Sequence, residues 1–435
     1  MLITERVQAG DPELLIEEAR IRQRRRRLRI AAAIAAALGA GAAAWAVLGH
    51  ETASGSASGG GGGAAASARC PGTDLGVLAY VHAGALSVVD FEHCRPRTVV
   101  RRGASGTPAF SRDGRYVSFY RGYVSTAGGP PHALPGQAAW SPAADILAVA
   151  TKTGGILLVA PGRFTRQLVP NGSGAGSPLY APNGKSVAFV RGTAIWSADV
   201  AGGELRKVVD ARPGQPVPVS FSPNGRFILY REYPNSNSLA ADGEALLVVD
   251  VATGRATAVA SSIGRSDFVA WCGNTLAYVT NHGGRIVTSG DGIAVASAPS
   301  WKPSTVLPAG GATSWNAVGC SGGTLVVSAG PSSQDSPFGQ EHRSLWTVAA
   351  KPHATPHLLA GTAPRAGTTD ELPMWSGDRR FVVFVRTTPG GVGGRGSLFA
   401  YDVGRRTIIG PIARVGATNN YYGSYEWADR IAWQR

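Results

Sequence analysis

Charge is scarce in this chain. Charged residues make up 16% of 435, against ~25% in an average soluble domain, and lysine supplies only five of the 42 basic residues. That excludes a charge-rich disordered chain. Cysteine is limited to four residues with no Cys-x-x-Cys pair, which excludes the common zinc and thiol-redox spacings. The eight histidines form no ligand framework. His353 and His357 are four apart, but Pro352 and Pro356 forbid the helix that would align them. EF-hand spacing is absent, and so is any basic-aromatic motif for nucleic acid. No metal, no cofactor and no nucleic-acid partner is expected.

Glycine (59) and proline (28) are abundant, together one residue in five, where average usage is roughly one in eight. This density excludes a mainly helical enzyme and fits many short strands joined by turns. The formal net charge is +14. Residues 1–29 hold eight Arg against five acids, so the rest carries +11. This modest positive field suits anionic envelope polymers or lipid headgroups. The excess of Arg over Lys is the pattern GC-rich coding produces and is given no functional weight.

One apolar run interrupts the pattern. Residues 30–49, IAAAIAAALGAGAAAWAVLG, contain no charge. At ~1.5 Å per residue they span ~30 Å, the hydrocarbon thickness of a bilayer. Arg22, Arg24 to Arg27 and Arg29 precede the run, and no Lys or Arg follows until Arg69. The asymmetry predicts a signal anchor in the plasma (inner) membrane, single-pass, with the N-terminus cytoplasmic and the bulk of the chain outside. A cleaved signal peptide has a shorter apolar region and a shorter lead. Residues 1–29 read as a basic amphipathic helix, with Asp11 as cap, Pro12 in its first turn and Glu13, Glu17 and Glu18 near its N-terminal end. Residues 50–68 read as a flexible Gly/Ala/Ser linker.

From 69 to 435 the chain repeats. Phe110-Ser-Arg-Asp-Gly-Arg precedes YVSFY, and Trp140-Ser-Pro precedes ILAVA. Tyr180-Ala-Pro-Asn-Gly-Lys precedes SVAFV, and Phe221-Ser-Pro-Asn-Gly-Arg precedes FILYR. Related anchors stand at Trp271, Gly319, Trp375 and Trp427. The spacings are 30, 40, 41, 50, 48, 56 and 52 residues. Each unit is a short strand, an Asp-Gly or Asn-Gly turn read as type I′, and a continuous apolar strand covered on both faces. Third and fourth strands follow, such as LLVVDV at 246–251 and ATAVA at 256–260. Four antiparallel strands per ~45 residues make one blade of a β-propeller.

The FSPNGR phrase followed by a strand, then a strand ending in Asp, resembles the WD40-like repeats of the TolB-type propeller family over nearly all of residues 70–435. The resemblance implies a fold and not a function. Residues 1–68 offer no counterpart of the α/β domain that precedes the propeller in TolB, so a TolB role in envelope division is not implied. A prolyl-oligopeptidase-type enzyme, with its attached hydrolase domain, is not expected.

The fold expected is all-β, a propeller of eight four-stranded blades preceded by one transmembrane helix. Seven blades is the alternative, should the short 110–135 unit be degenerate. Strands at 77–81, 86–90 and 98–100 lack an anchor of their own, and a C-terminal strand at 425–427 is expected to complete their blade and close the ring. Cys70 and Cys94 bracket those strands. Cys272 and Cys320 each follow an anchor in successive units, so both pairs are disulfide candidates in an exported domain.

Two chemical motifs are coincidences of a Gly-rich chain. Gly319-x-Ser321-x-Gly323 needs a strand-to-helix turn to act as a nucleophile elbow. Gly391-x-Gly393-x-x-Gly396 joins two strands and opens no helix. No catalytic residue is assigned. Loop length is more informative. Units after 220 lengthen between their second and third strands, at 232–244, 281–292, 330–343 and 387–396. Equivalent loops share one face of a propeller, and insertions there mark a binding face. Tyr233, Asp242, Asp335, Phe338, Glu341, His342 and Arg343 are the candidate contacts. The expectation is a non-catalytic module that binds another envelope protein or an anionic cell-envelope polymer. A sensory input module reporting across the membrane is the alternative, and a propeller hydrolase or lyase the third reading.

Overall fold

The computed structural model describes residues 70–434, apart from 73–74, 203, 213, 234–243, 263, 281–289, 333–341, 363–367, 388–393 and 418–426. The basic helix, the apolar run and the linker expected in residues 1–68 lie outside the described residues. Among those described, no helix is long and apolar enough to cross a membrane.

Residues 70–434 form eight four-stranded antiparallel sheets. Blade 1 pairs the C-terminal strand Ile431–Gln434 with Val77–His82, Ala85–Asp90 and Arg97–Val100. The next three blades run from Ala109 to Ala133, Ala138 to Val169 and Ala175 to Asp210. Blade 5 holds Gln215–Phe221, Phe227–Tyr233, Glu244–Asp250 and Ala256–Ser262. Blade 6 holds Val269–Cys272, Thr275–Val279, Ile293–Ser297 and Ser304–Leu307. Blade 7 holds Thr313–Ser321, Thr324–Pro331, Ser344–Ala349 and His357–Leu358. Blade 8 holds Thr369–Trp375, Phe381–Thr387, Gly394–Asp402 and Thr407–Ala417. The 110–135 unit is a complete blade, although its first and fourth strands have two residues each. Eight is therefore the blade number.

The first strand of each blade is innermost. Neighbouring first strands are tied together: Trp140 Nε1 donates to the Ala109 carbonyl (3.0 Å) and Trp271 Nε1 to Ser220 Oγ (3.0 Å), while Gln434 Nε2 donates to the Arg112 carbonyl (3.2 Å) in the turn after the first strand of blade 2. Cys272 and Cys320, on the first strands of blades 6 and 7, are disulfide-bonded with Cα atoms 5.5 Å apart. Cys70–Cys94 is the second disulfide, with Cα atoms 5.6 Å apart.

Continuous apolar second strands follow from packing on both faces. In Thr275–Val279, Leu276 and Tyr278 join a cluster with blade 5, while Ala277 and Val279 join one with blade 7. In blade 5, Phe227 and Leu229 face blade 6, and Ile228 and Tyr230 face blade 4. Strand period 2 sends alternate side chains to opposite neighbours, so each must be apolar. Every neighbouring pair of blades, including 8 and 1, shares such a cluster.

Two expectations are corrected. The repeat turn built on Ser- or Ala-x-Asp/Asn is not type I′. Only its fourth residue has positive φ: Gly114, Gly184, Gly225 and, without a glycine, Arg379. The amide of that residue returns to the carbonyl of the first, as in Gly225 N to Ser222 O, 2.8 Å. The side chains set this shape. Ser222 Oγ donates to Asn224 Oδ1 (2.7 Å) and accepts from Phe227 N (3.0 Å), and Ser376 with Asp378 repeats the pattern. The Asn or Asp acts as a turn acceptor and needs no left-handed backbone. Secondly, the closing strand is Ile431–Gln434 and not 425–427, because Ala428–Arg430 forms a 3-10 turn and Trp427 precedes it.

Candidate functional site

Connections from second to third strand leave each blade at the same end, the end at which the chain also enters the next first strand. The strand ends that carry the four long connections therefore lie at one face with the entry segments. Of the residues expected to line it, Asp242, Asp335, Phe338 and Glu341 lie outside the described residues. Tyr233 ends the second strand of blade 5, paired with Gln215. His342 is exposed in a left-handed conformation (φ 68°). Arg343 does not face solvent: it is 5% exposed. Its amide donates to Thr369 Oγ1 (3.1 Å), and its carbonyl accepts from Asp370 N (3.0 Å), so the chain turns it inward against blade 8.

Arg343 belongs to a buried ionic layer beneath this face. Arg231 and Glu244, at the facing ends of the second and third strands of blade 5, approach to 4.0 Å with side chains 4% and 0% exposed. Arg231 also donates to the carbonyls of Ser262 (3.2 Å) and Arg265 (3.1 Å). Arg265 forms a two-pronged pair with Asp267 (2.9 and 2.7 Å) and lies over the Phe268 ring. Arg386 holds Asp370 the same way, at 2.7 Å on both prongs. Glu371 accepts from Trp427 Nε1 at 2.7 Å. Ser266 donates to Asp429 at 3.2 Å. This last bond joins the entry turn of blade 6 to the entry turn of blade 1, although blades 7 and 8 lie between them.

Electrostatics of the layer follow from burial. Burial lowers the Arg343 pKa, and Glu371 opposes this most strongly. Burial raises Glu371, opposed first by Arg343 and then by Arg265 and the Trp427 hydrogen bond. Burial likewise raises Asp370 against the pull of Arg386. Breaking a buried pair by removing one partner costs ~3–5 kcal/mol, because the other charge stays behind. The layer thus locks the entry segments of blades 6, 8 and 1 against one another.

Sequence reasoning missed Arg231, Arg265, Asp267, Asp370, Glu371 and Arg386. A signal was present: a charged residue ends the apolar FILYR strand, and an acidic pair immediately precedes Leu372. Their convergence was not readable, since they are spread over three blades.

The first strands of blades 2 to 5 present a different surface. A cleft of about 400 Å3 there is lined by Tyr120, Gln137, Ser177, Pro178, Val217 and Pro218, among others, and none of its lining residues is charged. Ser321 ends the first strand of blade 7 and leads through Gly322-Gly323 into the second strand, so no strand-to-helix elbow forms. Gly391 and Gly393 lie outside the described residues. Among the described residues, no group of three or more His, Cys, Asp or Glu is placed to hold a metal ion.

No protein-family model matches the chain, and no curated protein matches it. Solved structures do. A TolB from Acinetobacter baumannii is similar at 15% identity and TM-score 0.35, over 70% of this chain and 67% of that one. A putative TolB from Agrobacterium tumefaciens is similar at 11% identity and TM-score 0.37, over 83% and 98%. An oligogalacturonate lyase in complex with manganese is similar at 14% identity and TM-score 0.43, over 77% and 83%. The eight-bladed assignment rests on the sheet topology itself.

Proposed function

We propose that this protein is a membrane-anchored, extracytoplasmic binding propeller that performs no chemistry and recognises a cell-envelope component through the face above blades 5 to 8. One observation carries the reading. Second-to-third-strand connections are longest on these four consecutive blades, and buried charged residues sit at the strand ends that carry them in blade 5 (Arg231 with Glu244), blade 7 (Arg343) and blade 8 (Arg386 with Asp370). A rigid base under extended loops is what a recognition face needs.

Four of the carboxylates at this end support the non-catalytic part. Asp267 and Asp370 are each clamped by an arginine, Glu244 lies beside Arg231, and Glu371 is bonded to an indole. Groups so engaged serve as ties and not as a poised acid-base pair. The anchor is residues 30–49, with residues 1–29 on the cytoplasmic side.

The test uses the full-length chain in its native envelope. Residues 234–243 and 333–341 are each replaced by a short Gly-Ser bridge, and surface cross-linking is compared with the unaltered chain. A cross-linked component lost in the shortened chain, with folding intact by circular dichroism, supports the reading. Equal cross-linking by both chains, or none by either, overturns it.

A further inference from the structure

A cleft of about 720 Å3 opens over the end of blade 8, on the long-loop face. Strand register builds its floor. Arg386 on the second strand pairs directly with Ser397 on the third, and Ser397 with Arg414 on the fourth. Directly paired residues project from the same side of a sheet, with Cβ atoms ~4.5–5.5 Å apart. Two guanidinium-bearing residues thus flank one hydroxyl in a single row. Two residues along, Phe384 pairs with Phe399, and Arg386 lies over both rings at 5.5 and 5.2 Å. His82 and Ala83, at the end of a blade 1 strand and its turn, Thr368, from the segment entering blade 8, and Thr387, Gly396 and Val415 complete the lining.

Charge in the cleft is one-sided. No aspartate or glutamate is among the residues that line it. Arg386 is neutralised and oriented by the buried Asp370. Arg414 is exposed and has no ion-pair or hydrogen-bond partner among the described residues. A positioned Arg, a second unneutralised Arg, a hydroxyl between them and an aromatic ring alongside form a receptor for a planar or tetrahedral oxyanion.

We infer that the blade 8 cleft is an oxyanion-binding subsite, taking the carboxylate of an acidic sugar or the phosphate of a phosphodiester polymer. This rests on the proposal that the long-loop face is the binding face, and it specifies the chemistry recognised there. Arg414 and Ser397 contact the anion, while Asp370 acts as a positioning residue through Arg386.

The test is titration of the detergent-solubilised full-length chain, at low salt, with three probes: an oligomer of glucuronic acid, poly(glycerol phosphate) and neutral maltooligosaccharide. Two variants accompany it. R414Q removes the unneutralised charge at an exposed position. S397D places a carboxylate between the two guanidiniums, so the site is filled from within. Binding of one or both anionic probes, none of the neutral probe, and weakening by about tenfold or more in each variant is the expected result. Which anionic probe binds identifies the source of the oxyanion. Anionic binding that survives both substitutions overturns the cleft but leaves the face reading standing. Absence of anionic binding to the unaltered chain also overturns the cleft. The face reading is judged separately, by cross-linking of the S397D chain, which keeps every long loop.

Discussion

Replacing Trp427 by Phe tests how the ring is shut. Trp427 is fully buried, lies in the apolar cluster shared by blades 8 and 1, and donates to Glu371 at 2.7 Å. It immediately precedes the turn that leads into the closing strand Ile431–Gln434. Phenylalanine keeps most of the apolar volume and removes the N–H. Glu371 is 4% exposed, so water does not readily replace the donor. Hydrogen bonds to charged groups are worth ~1.5–3 kcal/mol, and the cost expected is about 2 kcal/mol. It falls locally. Opening of strand 431–434 becomes easier by the same amount, and a factor of ten in population corresponds to ~1.4 kcal/mol. Amide exchange in 431–434 and in its partners 77–80 should therefore accelerate about 30-fold, with blade 4 unchanged. Glu371→Gln divides the effects differently. Gln still accepts from the indole, but it removes the charge opposite Arg343, so the cost of an unpaired buried charge, ~3–5 kcal/mol, is added. Hydrogen exchange followed by mass spectrometry reads both. Exchange of 431–434 in W427F within threefold of the unaltered chain would refute the claim that this bond holds the closure.

Three further outcomes are expected. Cys272 and Cys320 are 48 residues apart and Cys70 and Cys94 are 24 apart; by loop-closure entropy, replacing each pair with Ala lowers stability by about 4 and about 3.5 kcal/mol respectively. Non-reducing denaturant titration reads this, and a loss under about 1 kcal/mol for either pair would contradict it. Arg379 occupies the left-handed position that glycine fills in three related turns (φ 61°). Arg379→Gly should raise stability by about 1 kcal/mol, read as a higher urea midpoint; a lower midpoint would show that packing of its guanidinium on Gly322 matters more. The turn carboxylates set the acid limit. For Asp113, burial acts upward, but the Arg115 amide, the Ser111 hydroxyl and the Arg115 guanidinium bring it down to about 2, and Asp250 and Asp378 are lowered in the same way. Their stabilisation is fully present above the ordinary carboxylate value near 4 and is lost as pH falls through the depressed values. Melting temperature should therefore drop between about pH 4 and 2. Burial shifts Asp370 and Glu371 upward, so they do not add to that loss. A melting temperature constant across the window would contradict the assignment.

Much of the propeller was legible because its causes are local. Phe221-Ser-Pro-Asn-Gly-Arg names an inner strand end, a turn acceptor and a left-handed glycine within six residues, and the FILYR run after it has no polar face to offer solvent. The turn type was misread because Asn-Gly permits two geometries, and the hydroxyl of Ser222, two residues before Asn224, selects between them. Closure was misplaced by a few residues because nothing in the local pattern shows that Ala428–Arg430 turns before the strand begins. Long loops were visible as insertions. The buried layer beneath them was not, since Arg343 among hydrophilic loop residues reads as surface until blade 8 is placed against it.

By itself the sequence determined the repeat and the number of anchors and marked both cysteine pairs as candidates, because continuous apolar runs, turn residues and equivalent repeat positions can be read along the chain. The tertiary structure alone decided which charges meet. Glu371 and Trp427 are 56 residues apart, and Ser266 and Asp429 are 163 apart. Only closing the ring brings them within a hydrogen bond, and only the burial that closure imposes makes those contacts costly to break.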